Sequence, residues 1–399
     1  MQTSLSKVTF LVGGADEVIR ITEICARKPF DEKVLLFLND VSRLLMKDIR
    51  SRQYSDVMTF AFWIRKSSTT RLKEQYLKDD CRYRIGKGMV FHIAPSNVPV
   101  NFAYSLVAGL LSGNANIVRV PSKEFEQVSI IIEAINEVLG FHENMRPYIT
   151  LVRYGRERDV NDLFSSMADM RVIWGGDDTI AELRKSPLPP RSGEITFADR
   201  YSIAVIDSDA YLDSYDKEKV AQDFYNDTYL SDQNACTSPR IVIWVGSRID
   251  EAKKIFWEKE HELVRARYEF QSIQAVNKLV STFLSAVALP GCVVERYIDN
   301  RIIRVRIPEV NTSLMDYRDN SGFFFECDCM NIMEIRGLCD DKRCQTLGYI
   351  GDKEMFMPLL RFGTRGIDRI VPIGKTMDFD LVWDGYDLIG MLSRVVAVT

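Results

Sequence analysis

The 399-residue chain is poor in histidine, with three in all, His92, His142 and His261. None sits in a spaced metal motif, so a histidine-built metal centre has little to draw on. It also lacks an apolar run of the ~20 residues that a bilayer-spanning helix needs. The N-terminus shows no basic patch followed by an apolar core and a small-residue cleavage site, so no signal peptide is expected. An excess of positive charge is missing as well. The formal net charge is −4, which gives a nucleic-acid partner no general electrostatic support. Eight cysteines are scattered at positions 25, 81, 236, 292, 327, 329, 339 and 344, without a disulfide-framework spacing. In a chain this long they fit a reduced cytoplasm. The last four are separated by one, nine and four residues, which matches no paired zinc knuckle. No metal is expected, and no internal repeat or low-complexity tract is present.

What remains is an ordinary globular composition, 46 % hydrophobic and 27 % charged, so the chain can build real cores. Its length suggests two domains. Residues 1–80 read as mostly helical, with helices over 31–49 and 54–77. From residue 89 strands and helices alternate. Strands are expected at 89–94, 116–120, 148–153, 170–174 and 201–206. Helices are expected at 101–111, 124–139, 159–167 and 177–185. Residues 186–193, rich in proline and glycine, read as a loop. This spacing is that of a doubly wound parallel sheet, which binds ligands at the carboxyl ends of its strands. Near residues 207–214 the character changes, as at a crossover into a second α/β unit. That unit continues with a helix at 217–229, a strand at 241–245, a long helix at 248–270, and strands at 302–306 and 322–326. The expected division is 1–208 for a helical segment with a cofactor domain and 209–374 for a second domain. Residues 375–399 would return to the cofactor domain or form an oligomer contact.

Four stretches could carry chemistry. In Pro95-Ser96-Asn97-Val98-Pro99, prolines on both sides fix the turn around Asn97. Its amide either donates into the crevice above the sheet, as an oxyanion hole requires, or caps the following helix. Gly113-Asn114 to Arg119-Val120-Pro121-Ser122-Lys123 ends a strand with basic side chains. Arg119 and Lys123 suit a phosphate, such as the 2′-phosphate of NADP, or are a solvated strand end. In Trp174-Gly175-Gly176-Asp177-Asp178-Thr179, paired glycines let a pyrophosphate approach a helix start. Asp177 and Asp178 oppose this unless they point away or serve as caps. Cys236 follows Asp232, Gln233 and Asn234 in a polar loop, unlike a buried structural cysteine. His92, in an apolar strand, reads as a core residue, and Trp383-Asp384-Gly385 as packing and turn.

In this order the four stretches resemble the aldehyde dehydrogenase superfamily, and most closely its fatty acyl-CoA reductase branch, the LuxC type known from bacterial bioluminescence. Pro95 to Pro99 matches the superfamily's Pro-x-Asn-x-Pro element, and Gly113 to Ser122 its Gly-Asn…Lys-Pro-Ser element. Gly175-Gly176 falls at the family's cofactor-binding turn, and Cys236-Thr237-Ser238-Pro239-Arg240 at its cysteine loop. The run from Gly366 to Pro372, followed by Trp383-Asp384-Gly385, resembles the acyl reductase branch specifically. The resemblance implies an aldehyde dehydrogenase-like α/β fold, with a doubly wound parallel cofactor domain and a second α/β catalytic domain. It implies Cys236 as nucleophile, with its thiol lowered from the usual ~8.5, and Asn97 as oxyanion donor. Ser96, Arg119, Pro121, Ser122, Lys123, Gly175, Gly176 and Thr179 would contact the cofactor, NADPH rather than NADH. The expected reaction is reduction of an acyl thioester, of CoA or of a carrier or synthetase protein, to the aldehyde. A cytoplasmic homo-oligomer is expected.

Two departures stand out. The family lysine of the cofactor strand is Arg119 here. The general-base glutamate would fall near 197–200, where Glu194 and Asp199 are the nearest carboxylates. Its absence fits acyl exchange with a thiol, which needs no activated water. Other readings are an acyl-phosphate reductase of the same superfamily and an inactive reductase-like scaffold. Histidinol dehydrogenase would need a histidine and zinc constellation that is missing.

Overall fold

A computed structural model describes residues 2–77 and 83–398; Cys81 lies outside them. The chain divides into one unit of residues 1–198 with 386–399 and a second of residues 199–385.

Up to residue 198 the strands of the first unit are β1 (Thr9–Val12), β2 (Tyr83–Gly86), β3 (Met89–Ile93), β4 (Ala115–Arg119), β5 (Ile149–Arg153), β6 (Met170–Trp174) and β7 (Gly193–Phe197). Six form a sheet in the order β1-β5-β4-β3-β6-β7, parallel except for the edge strand β1. β3 and β6 are buried at every position, as expected of central parallel strands covered on both faces. The crossovers from β3 to β4 and β5 run in one direction, and the chain then returns to β6 on the other side of β3. The reversal makes a topological switch point at the carboxyl ends of β3 and β6. Helix Glu126–Leu139 buries Val128, Ile131, Ile132, Ile135, Val138 and Leu139, the face its periodicity predicts. His92 is the expected core residue, with Nδ1 2.8 Å from the Ser105 hydroxyl and Nε2 3.0 Å from Asn116 Oδ1. Its burial pushes the imidazole down to about 4.

Three expectations need correction here. The helix over 54–77 is two helices, Ser55–Trp63 and Lys66–Leu77, because Asn39 on a neighbouring helix accepts the Lys66 N–H and caps a new start. The loop over 186–193 ends in a strand, since β7 completes the sheet beside β6. The expected boundary at 208 moves to 198, because the next strand belongs to the second sheet.

That second sheet contains β8 (Tyr201–Asp207), β9 (Pro239–Val245), β10 (Val293–Arg296), β11 (Ile303–Arg306), β12 (Phe323–Asp328), β13 (Cys344–Ile350) and β14 (Arg369–Pro372). Its order is β10-β11-β12-β9-β8-β13-β14, parallel except for β10. Alternation along the central strands feeds two cores. Ile203, Val205, Ile241 and Ile243 enter one; Ala204, Ile206, Val242 and Trp244 enter the other. The expected crossover at 207–214 is a short helix, Ser208–Ser214, capped by the Asp207 carboxylate. The long helix is Ile249–Arg267, and a further helix, Ser272–Ala288, follows it.

Candidate active site

Each unit carries part of the expected chemistry. In the first, the three sequence stretches end on neighbouring strands. Ser96 and Asn97 follow β3, Pro121 to Lys123 follow β4, and Gly175 to Thr179 follow β6. Ser96, Asn97, Ser122, Lys123, Gly176 and Thr179 are exposed, Gly175 is half-buried and Pro121 is buried. Gly176 precedes helix Asp177–Leu183, and a Cβ added to it would meet nothing within 4 Å. The backbone there is open to a ligand's approach. Asp177 and Asp178 occupy the first helical turn and are exposed. Arg119 is engaged by its own unit. It lies 4.6 Å over the Tyr154 ring and donates to the carbonyls of Gly155 at 2.6 Å and Tyr154 at 3.4 Å. Exposed hydroxyl, amide and ammonium groups thus follow β3, β4 and β6, together with the two exposed carboxylates of Asp177 and Asp178.

In the second unit, Cys236 lies on the turn leading into β9 and is half-buried. The turn is held from several sides. The Ser202 hydroxyl donates to the Cys236 carbonyl at 2.7 Å. Asp232 and Gln233 adopt left-handed backbone, with φ of 52° and 58°. This turns the Gln233 side chain inward, where it is fully buried. Its amide donates to the carbonyls of Pro239 at 2.9 Å and Phe323 at 3.1 Å. Its oxygen accepts from the N–H groups of Gly322 and Phe323. The ladder between β8 and β9 is irregular, Ser202 facing Pro239 and Ile203 facing Ile241. Arg240 is the extra residue, as in a β-bulge. It donates to the Gln233 carbonyl, the Asp319 carbonyl and Asn320 Oδ1. Its burial pulls the guanidinium down to about 10.

Contrary to expectation, the Cys236 thiol is not lowered. Burial pushes it up to about 12, and the nearby Asp384 carboxylate pushes the same way. Arg200 and the N–H groups of Cys236 and Thr237 act in the opposite sense. The carboxylates near the expected base position are both paired. Glu194 binds Arg171 at 2.5 Å and Arg184 at 2.7 Å, and Asp199 binds Arg318 at 2.8 Å. Sequence reasoning missed Gln233 and Arg240 as the clamps of the loop, and Asp384 as the carboxylate acting on the thiol. No group of histidine, cysteine and carboxylate side chains among the described residues could hold a metal ion.

Residues 30–261, more than half of the chain and including both Asn97 and Cys236, match the family model described as acyl-CoA reductase (LuxC). The chain belongs to the LuxC family. Among curated LuxC-like relatives, the long-chain acyl-protein thioester reductase of Photorhabdus laumondii is 24 % identical over 333 residues, 82 % of this chain and 66 % of that protein. The Vibrio harveyi long-chain acyl-protein thioester reductase is 28 % identical over 196 residues, 48 % of this chain and 39 % of that protein. These matches therefore span less than two thirds of the relatives' own lengths. Solved structures show the fold. A Thermus 1-pyrroline-5-carboxylate dehydrogenase with bound NAD superposes with a TM-score of 0.65 at 12 % identity, over 100 % of this chain and 84 % of that one. A Corynebacterium glutamicum NAD-dependent benzaldehyde dehydrogenase does so with a TM-score of 0.61 at 15 % identity, over 93 % and 85 %. This LuxC-family chain thus has the two-domain α/β fold of the aldehyde dehydrogenases. Among the described residues no helix is long and apolar enough to cross a membrane.

Proposed function

We propose that the protein reduces an acyl thioester, of CoA or of a partner protein, to the aldehyde through a covalent acyl group on Cys236. The observation that carries this reading is a cysteine on a turn clamped from several sides, within the stretch that matches the LuxC family. The names of the curated relatives, acyl-protein thioester reductases, support the same substrate class.

The Cys236 sulfur, as thiolate, adds to the thioester carbonyl and forms a new C–S bond. Negative charge moves to the carbonyl oxygen, where the Cys236 N–H and the Asn97 amide would donate to it. The oxyanion then re-forms the carbonyl as the original C–S bond breaks, and the donor departs as its thiolate, leaving acyl-Cys236. Ser96, Arg119, Pro121, Ser122, Lys123, Gly175, Gly176 and Thr179 would hold the cofactor. When bound, NADPH supplies the hydride that reduces the thioester. The resulting hemithioacetal on Cys236 collapses, its C–S bond returning an electron pair to sulfur as the aldehyde leaves. The pairing of Glu194 and Asp199 with arginines supports acyl transfer over hydrolysis, since neither is free to activate water.

The test is a mass spectrum after incubation with a chain-length series of acyl-CoAs, alongside NADPH oxidation. A single acyl adduct mapped to Cys236, absent in Cys236→Ala together with oxidation, is the expected result. Oxidation at near wild-type rate in Cys236→Ala sinks the reading. An adduct that forms only from acyl phosphate transfers it to the acyl-phosphate branch.

A further inference from the structure

Helix Ser272–Ala288 turns its polar side inward and its apolar side outward. Lys278, Thr282 and Ser285 are buried. Ile273, Val276, Val280, Phe283, Leu284 and Val287 are exposed, Phe283 at 62 % and Val287 at 90 %. This orientation is locked from within. Lys278 Nζ donates to the carbonyls of Asn300, Arg301 and Ser321, the last at 2.7 Å. The Ser281 hydroxyl donates to Asp319 Oδ2 at 2.8 Å. The Gln274 amide donates to the Tyr268 hydroxyl at 3.0 Å and to Asp232 Oδ1 at 3.3 Å. A capping box between Gln271 and Gln274 fixes where the helix starts. Rolling the helix to hide its apolar side would break these bonds and strand buried carbonyls.

The spacing of the exposed side chains is specific. Ile273, Val276, Val280, Phe283 and Val287 recur at intervals of three and four in alternation. That is the 3.5-residue repeat of a helix that packs lengthwise along another helix. Ile273, Val280 and Val287 occupy one seam position of this repeat, where β-branched residues favour two strands. Residues 272–288 contain a single charged residue, Lys278, and it points inward. The outer face therefore offers no basic group to an anionic membrane or an acidic partner. Two identical uncharged faces, in contrast, meet without repulsion. At these exposures the six side chains leave about 600 Å² of apolar surface, the upper end of the largest patch on a monomer. Two copies would bury about 1,200 Å² in all, where stable interfaces begin.

We propose that helix Ser272–Ala288 is a homodimer interface, along which the same helix of a second copy packs by twofold symmetry. The seam supplies the apolar contact, and the inward bonds of Lys278, Ser281 and Gln274 hold it in place for the partner. Val280 is the middle residue of the helix. When the two helices overlap fully, it lies within a turn of its counterpart whether they run parallel or antiparallel.

The test is the solution mass of the full chain, by light scattering and sedimentation over a concentration series, in wild type, Val280→Glu and Val280→Lys. Val280 is exposed in the single chain, so both variants are expected to keep the wild-type far-ultraviolet circular dichroism spectrum. The wild type is expected to contain an even number of chains. Each variant is expected at half the wild-type mass, because like charges then meet across the twofold axis. An equimolar mixture of the two variants is expected to regain the wild-type mass, since opposite charges meet. A wild type that is a single chain at every concentration overturns the proposal. So does a variant that keeps the wild-type mass, or a mixture that stays at half of it. A single-chain wild type that floats with phosphatidylcholine vesicles, while Val280→Glu does not, overturns it in favour of a lipid surface. None of these readouts depends on the role of Cys236.

Discussion

The buried amide of Gln233 shows how one side chain fixes the cysteine loop. It satisfies two carbonyls and two N–H groups that belong to the ends of different strands. Gln233→Ala would remove all four of these buried hydrogen bonds, and a buried group left unsatisfied costs about 1–3 kcal/mol. The expected outcome is a loss of several kcal/mol in denaturant unfolding, and slower alkylation of Cys236 even at temperatures where the variant stays folded. Cys236 itself was legible as a polar-loop cysteine, and its order after the Asn97 and Gly175-Gly176 stretches was legible too. Gln233 was visible only as a polar neighbour, because nothing local states that its side chain turns inward. Asp384 read as a turn residue for the same reason. Asp-Gly is a turn signal wherever it occurs, whereas the contacts of Asp384 depend on Arg200 and Gln345 arriving from distant parts of the chain.

Helices and strands whose apolar pattern faces a core were readable at close to their true limits, Asn101–Leu111 and Met170–Trp174 among them. Helix Ser272–Ala288 was not. Its inward face carries Lys278, Thr282 and Ser285, while Val276, Val280, Phe283, Leu284 and Val287 are exposed. Lys278 donates to the carbonyls of Asn300, Arg301 and Ser321, so a polar side chain is inside where a pattern reading expects apolar residues. Helix Ile249–Arg267 holds a second inverted position. Glu260 is fully buried, and neither carboxylate oxygen has a hydrogen-bond partner among the described residues. Burial raises this carboxyl well above the usual glutamate range. An acid raised in the folded state binds more protons than in the unfolded chain. Its contribution is therefore most favourable below the unfolded value of about 4.3 and is lost as pH rises above it. Glu260→Leu is expected to stabilise the protein by about 1–3 kcal/mol at pH 7. The gain in melting temperature should shrink toward pH 4. An equal gain at both pH values would show that packing, not charge, is the cause.

At the scale of the whole molecule, the chain leaves the first unit at residue 198 and returns to it at residue 386. The returning segment Ser393–Val396 pairs antiparallel with β2, and Leu388, Ile389 and Leu392 are buried. The Leu392 carbonyl also accepts from the side-chain amide of Asn114 at 2.9 Å. Each of the three apolar side chains is worth roughly 1.5–3 kcal/mol. Removing residues 386–399 is expected to raise hydrogen exchange in β2 and in helix Asn101–Leu111, while exchange in β8, β9 and β12 stays slow. The two-unit plan was legible because a parallel sheet announces itself through strand-helix alternation. The boundary was placed ten residues late, because a buried strand looks the same in either sheet and β8 carries no mark of the one it joins.

This discontinuity also constrains the order of events during synthesis. The partner strand of β2 leaves the ribosome only after all of residues 199–385. The inserted unit can close on itself while the first still lacks the strand that pairs with β2 and three core side chains. The unit begun first is therefore the one completed last, and until then its β2 edge is open to any other strand, including that of a second nascent chain.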